Sequence, residues 1–222
     1  MKPFSQEFCF HVSMIYLNEL PIIRKLLTGL LFITIVNSIY AQDWTLRKNE
    51  DSIQVYTAFT ENSKFKRIRA DFTIKTSREK LFEHLLQIDQ YPQWQYKTLQ
   101  SRVVQQKSKH ELIYYNEVDA PWPVSNRDLV IHLKIHETPQ SPEFRILTWS
   151  EPTLVPVKDG LVRVPSSNGE WLVRELPDGK LKVRFEMQID PGGEVPSWLV
   201  NLTSALAPYE TFKNLKDRLE GF

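Results

Sequence analysis

The stretch that decides the fold is Leu181-Lys182-Val183-Arg184-Phe185-Glu186-Met187-Gln188-Ile189-Asp190, followed past Gly192-Gly193 by Pro196-Ser197-Trp198-Leu199. In residues 181–190 apolar and polar side chains alternate without a break. Period two places them on opposite faces of a strand, one buried and one wet. From Pro196 the period changes. Trp198, Leu199, Leu202, Leu206, Tyr209, Phe212, Leu215 and Leu219 recur at three and four, the spacing of one face of a helix. Pro196 suits a first helical position, Gly192-Gly193 a turn and Gly221 a stop. The helix is expected to run about 25 residues, or roughly 37 Å at 1.5 Å per residue, with a kink at Pro208. A half-buried strand feeding a long amphipathic helix must bury both apolar faces against each other. The fold class expected is α+β: a curved antiparallel sheet wrapped around one long C-terminal helix. A sheet that curves about a helix can enclose an apolar cavity.

Working outward, the same alternation recurs. Ile68, Ala70, Phe72 and Ile74 share one parity, with Arg67, Arg69, Asp71 and Thr73 between them. Leu129, Ile131, Leu133 and Ile135 repeat it, and Ile53, Val55 and Phe59 form a shorter set. Further strands are expected near 101–106, 111–118, 144–149 and 170–176. Pro177-Asp178-Gly179-Lys180 and Ser167-Asn168-Gly169 read as turns. Thr76-Ser77-Arg78-Glu79 reads as a capping box with Thr76 as the cap. It opens a helix whose apolar face is Leu81, Phe82, Leu85, Leu86 and Ile88.

The 222 residues carry 28 Lys+Arg and 27 Asp+Glu, a net charge of +1. So balanced a charge excludes an electrostatic nucleic-acid binder. With 41% hydrophobic residues, disorder is excluded as well. One cysteine excludes a disulfide framework, and no Walker or dinucleotide glycine motif occurs. Arg24-Lys25 precede an uncharged run over 26–36, and Asn37-Ser38-Ile39-Tyr40-Ala41 follow. That is the layout of a secretory signal peptide over 1–41, with Ala41 the last residue removed. The competing membrane-anchor reading needs roughly 20 apolar residues, more than the run supplies. Met14 is an alternative start. The removed segment would hold Lys2, Arg24, Lys25, Glu7, Glu19 and the lone Cys9. The mature chain, 42–222, would then hold 25 charges of each sign in one domain, periplasmic or secreted.

Tyr115-Asn116-Glu117-Val118-Asp119-Ala120-Pro121-Trp122-Pro123-Val124-Ser125-Asn126-Arg127-Asp128 resembles the START (steroidogenic acute regulatory protein-related lipid transfer) family. Tyr91-Pro92 with Trp94, and Gly192-Gly193 with Pro196, Trp198, Leu199 and Asn201, are similar to two further family signatures. The resemblance covers essentially all of 42–222. It implies a helix-grip fold holding a lipid in a tunnel between sheet and C-terminal helix. Several phosphatidylcholine- and sterol-type members place an arginine six residues after the Ser-Asn-Arg-Asp arginine, inside the cavity. Here that position is Leu133, so the resemblance implies an apolar ligand or a headgroup read elsewhere.

The candidate ligand-binding residues are Tyr115, Glu117, Trp122, Arg127, Ile131, Leu133, Trp149, Trp171, Trp198, Asn201 and Leu202. Trp122, between two prolines, reads as part of a gate or as a buried anchor for a rigid turn. Arg127 and Asp128 fall on opposite strand faces and tie the loop to neighbours rather than to each other. Glu117 shares parity with Tyr115 and Ile113, as a cavity acid or an exposed strand-end carboxylate. Trp149, Trp171 and Trp198 read as core or cavity wall. Asn201 is a polar cavity contact, a cap or a solvent-exposed residue. The apolar residues Leu154, Val155, Val157 and Leu161 suit a loop covering an opening. His132 and His136 lie about 13 Å apart along a strand at 3.3 Å per residue, too far for a zinc pair. No metal or other cofactor is expected.

Two functions compete. One is non-enzymatic binding, with possible transfer, of a lipid or other apolar small molecule, by a monomer with transient membrane contact. The other is a cyclase or hydratase in the same cavity, for which only Glu117, Tyr115 and His84 offer titratable groups.

Overall fold

The computed structural model describes residues 44–61 and 63–221, leaving the side chains of Leu202 and Thr203 aside. The proposed signal segment, its cleavage site and Cys9 lie outside the described residues. The order is β1 (Thr45–Glu50), β2 (Ile53–Thr60), β3 (Ser63–Ile74), α1 (Arg78–Leu86), a 3-10 helix (Ile88–Gln93), then β4 (Thr98–Ser108) and β5 (Glu111–Val118). After these come β6 (Arg127–Glu137), β7 (Glu143–Ser150), β8 (Val162–Arg163), β9 (Ser166–Glu175), β10 (Leu181–Asp190), α2 (Ser197–Thr203) and α3 (Leu206–Glu220). The sheet runs β1-β2-β3-β10-β9-β7-β6-β5-β4, antiparallel throughout, with β8 added parallel to β6. The expected α+β architecture is the one observed, with β1 and β8 the strands that periodicity missed. β1 is a charged, exposed edge strand, so it carries no apolar alternation to read.

The period-two faces of β3, β6 and β10 bury Phe72, Leu133 and Val183 in one core with Phe212 and Leu215 of α3. Phe212 seats the helix. Its ring lies 4.8 Å from Phe72, 5.1 Å from Phe185 and 5.3 Å from Trp171.

Four local expectations differ. The C-terminal helix is divided in two, α2 ending at Thr203 and α3 beginning at Leu206, although Ser204 and Ala205 keep right-handed helical backbone angles, as at a proline kink. Pro208 has no N–H for the Ser204 carbonyl and its ring collides with that carbonyl, so the helix parts four residues upstream. Ser77, not Thr76, caps α1, accepting the Lys80 N–H at 3.3 Å. A register shift between Ala58 and Thr60 turns Phe59 outward, 68% exposed, and buries Ala58 instead. Ser167-Asn168-Gly169 is not a turn but part of β9. Gly169 stands where a Cβ would come within 2.5 Å of Thr148 Oγ1, so its missing side chain leaves room for the cross-strand Thr148. Gly192-Gly193 does make the turn after β10, at φ 68° and 64°. A Cβ on Gly192 would meet the Arg163 carbonyl at 2.8 Å.

Candidate functional site: an apolar cavity under a broken helix

A cavity of about 340 Å³ lies between the sheet and α2–α3. Alternation puts Leu129, Ile131 and Leu133 of β6 and Phe185, Met187 and Ile189 of β10 on its wall. Ile146 of β7, Trp171 of β9 and Leu85 of α1 extend it. The interrupted helix contributes Val200, Ser204, Ala207, Pro208, Thr211 and Phe212. The break therefore lies along the cavity rather than away from it.

Polar groups enter from β5 and the segment after the 3-10 helix. Tyr114, Asn116 and Val118 face inward with Tyr91, Trp94, Gln95 and Thr98. Asn116 Nδ2 donates to Gln95 Oε1 at 2.7 Å, and Thr98 Oγ1 donates to the same oxygen at 3.0 Å. Tyr91 donates its hydroxyl to the Leu85 carbonyl at 2.7 Å. Burial pushes both the Tyr91 and Tyr114 hydroxyls well above the ordinary tyrosine range, so both stay neutral phenols. Among the described lining residues there is no carboxylate and no histidine. Lys66 borders the cavity, with its ammonium 4.7 Å over the exposed Phe59 ring. Desolvation, then repulsion from Arg47, lowers its pKa. Such a wall can hold an apolar body and hydrogen-bond an uncharged group.

The model of the START domain matches residues 40–220. The chain belongs to the START domain family. A STAR-related lipid transfer protein fragment from Xanthomonas axonopodis superposes with a TM-score of 0.74 at 30% identity, covering 80% of this chain and 98% of that one. An uncharacterized protein of Pseudomonas aeruginosa is 32% identical over 81% of this chain and 88% of its own. Phosphatidylcholine transfer protein of Mus musculus is 24% identical over 72% of this chain and 75% of its own.

Within this START domain the expected ligand contacts separate into two groups. Ile131, Leu133, Trp171 and Asn201 border the cavity. Asn201 is also a tether: its Oδ1 accepts the Lys66 N–H at 3.2 Å and its Nδ2 donates to the Lys64 carbonyl at 3.5 Å. The Leu202 side chain lies outside the described set. Tyr115, Glu117, Trp122, Arg127, Trp149 and Trp198 do not line the cavity, which corrects their placement there. Tyr115 and Glu117 have the parity assigned to them, but that parity faces the outer side of the sheet. Tyr115 packs with Ile113 and Val130 in a second small core, closed by Val104 and Val155. Arg127 is buried and donates to the Ser125 carbonyl. Trp149 stacks on His132 at 4.0 Å and donates to Glu151 at 3.0 Å, also outside. Trp122 is 92% exposed, so it is no buried anchor, and Trp198 is 67% exposed. His84 is buried against Trp94, with ring centroids 5.2 Å apart, and does not border the cavity. All three titratable candidates for the cyclase reading thus sit away from it.

The apolar segment 151–165 also differs from expectation. It covers the outer face of β5 and β6 instead of an opening. Arg163 is the residue sequence reasoning missed. Its Nε and Nη2 each reach the fully buried Asp128 carboxylate at 2.8 Å. It also donates to the carbonyls of Val155 at 2.8 Å, Pro156 at 3.2 Å and Pro152. One guanidinium fork therefore fixes both the Asn126-Arg127-Asp128 corner and the strap above it. Asp128 ties to a neighbour and not to Arg127, as its parity required.

Proposed function

We propose that this START domain binds one apolar, lipid-like molecule in the cavity between sheet and broken helix, and carries it between membranes outside the cytoplasm. The cavity of about 340 Å³, walled by Leu129, Ile131, Leu133, Phe185 and Met187, supports this most directly. Burying roughly 300 Å² of a guest at ~25 cal/mol per Å² contributes about 7 kcal/mol before the cost of association. Binding of that kind requires no catalysis. The lipid-transfer names of the Xanthomonas and mouse relatives support the same reading. Arg24, Lys25 and the apolar run after them support export. The near-balanced charge favours a membrane contact that is brief and not driven by electrostatics.

The test is to purify the protein, extract it with organic solvent and identify what is released by mass spectrometry. Nile red fluorescence then reports whether the cavity takes an uncharged probe, and transfer between donor and acceptor vesicles tests carriage. A bound apolar molecule and Nile red displaced by it are expected. An empty extract together with no Nile red binding would refute the reading.

A further inference from the structure

Outside the cavity, His132 is a buried titratable group that lipid binding does not use. We propose that it works as a proton-operated clamp on the strap 151–165, holding the strap's first residue only while both ring nitrogens carry a proton.

His132 lies on the outer face of β6, between Ile113 of β5 and Trp149 of β7. Its side chain is 5% exposed. Nε2 lies 2.8 Å from Glu111 Oε1, and Nδ1 lies 3.3 Å from Glu151 Oε1. Glu111 belongs to β5, and Glu151 opens the strap. The Trp149 ring stacks on the imidazole at 4.0 Å. These two carboxylates, with Lys134 of β6 beyond Glu111, are the charged groups around the ring. They reach different ring nitrogens, and no three such side chains among the described residues are placed to share a metal ion.

A neutral imidazole has one N–H and one bare nitrogen, so it can donate to one carboxylate only. Its lone pair would then point at an oxygen of the other. The doubly protonated ring satisfies both. The second proton could instead sit on a carboxylate, but the neighbours oppose that. Glu151 Oε1 already accepts the Trp149 indole N–H at 3.0 Å, and Glu111 Oε2 lies 3.1 Å from the Lys134 ammonium. Hydrogen bonds from Lys134, then from His132, hold the Glu111 carboxyl below its ordinary range. The indole face also favours a cation beside it.

The consequence falls on the strap. Its far end is fixed by Arg163 on Asp128, a pair whose cation keeps its proton at any ordinary pH. Its near end hangs on Glu151, whose N–H donates to the Val130 carbonyl at 2.8 Å and whose carbonyl accepts the Leu154 N–H at 3.1 Å. Without the imidazolium, Glu151 faces a lone pair, and its side chain, 39% exposed, can turn to water. The turn 151–154 then loosens, and with it the cover of Val155 over Tyr115. One end of the strap answers to pH and the other does not. The cavity, on the opposite face of the sheet, is untouched.

The experiment compares the parent with His132→Gln and Glu151→Gln at pH 5.5 and pH 8.5. A proton held between two carboxylates in the folded chain, and by none in the unfolded one, favours folding where it is bound and ceases to where it is lost. The Tm advantage of the parent over each variant should therefore shrink from pH 5.5 to pH 8.5, by about 3 °C or more. His84 is common to all three proteins and cancels in the difference. Amide exchange locates the effect. In the parent the protection factor of the Glu151 amide should fall about tenfold over the same pH range, the size of one charged hydrogen bond. That of Val164, which donates to the Asp128 carbonyl at 3.0 Å beside Arg163, should hold. In either variant the Glu151 amide should be weakly protected at both pH values. Glu151→Gln, at a partly exposed position, decides alone if His132→Gln does not fold. A Tm difference that stays constant or grows with pH, or a Glu151 protection factor that does not fall in the parent, overturns the clamp.

Discussion

Replacing Arg163 by Met should destabilise the domain far more than a surface arginine would. The Asp128 side chain is 0% exposed and that of Arg163 8%, so the pair is removed from water. Arg163→Met leaves a buried carboxylate with two lost donors and frees the carbonyls of Pro152, Val155 and Pro156. Breaking a buried pair from one side costs about 3–5 kcal/mol. For a domain of this size that lowers Tm by roughly 6–20 °C. The double variant Asp128→Leu/Arg163→Met removes both charges, so its cost should fall below that of Arg163→Met alone despite the lost carbonyl bonds. Urea melts of the three proteins, with unchanged m-values, measure this. The strap lies outside the cavity, so Nile red affinity of the folded variants should match the parent. A loss under about 1 kcal/mol for Arg163→Met, or a double variant less stable than the single, would refute the argument that an uncompensated charge dominates.

Other consequences follow from single contacts. Phe212→Ala removes the ring that meets Phe72, Trp171 and Phe185, and should cost about 3–5 kcal/mol by urea melt. Gly169→Ala sets a methyl 2.5 Å from Thr148 Oγ1 and should cost about 1–3 kcal/mol; Thr148→Ala in the same chain should restore most of it. Desolvation, then repulsion from Arg218, holds the pKa of His84 below its ordinary 6.5. The unfolded chain thus binds this proton more readily. The contribution is intact above pH 6.5 and lost as pH falls below it. The Tm difference between parent and His84→Leu should therefore shift in favour of the variant from pH 8 to pH 5, and a constant difference would contradict this.

Strand periodicity carried most of the fold because β3 and β10 bury one parity more deeply than the other, and β6, though buried on both faces, keeps its unbroken apolar run of Leu129, Ile131, Leu133 and Ile135 on the inward one. Their alternation maps directly onto Phe72, Leu133 and Val183 in the core. Where that condition fails, the sequence is silent. β1 buries neither face, and β8 is two residues long. The helix break needed more than the rule that proline disturbs helices. The three/four spacing runs on through residues 204–205, and only the geometry of the i−4 carbonyl places the break there and not at Pro208 itself.

The candidate site divides along the same line. Ile131 and Leu133 border the cavity because their strand carries its unbroken apolar run on the inward parity. β5 is buried on both faces, with Leu112, Tyr114 and Asn116 on one and Ile113 and Tyr115 on the other. Alternation cannot tell inside from outside when a second layer covers the outer face. Here that layer is the strap 151–165, which looked like a lid because it is apolar; its Val155 packs on Tyr115 and Val130, while Leu154 and Val157 stay exposed. Reading β5 by its most chemical residue, Glu117, selects the wrong parity. Glu117 instead sits on the outer surface, with Lys158 at 3.6 Å and Gln100 at 2.6 Å. A carboxylate on that strand can remain ionised only where a cation or water reaches it. The inward parity is left to neutral groups, Tyr114, Asn116 and Val118, and these are the β5 side chains that line the cavity.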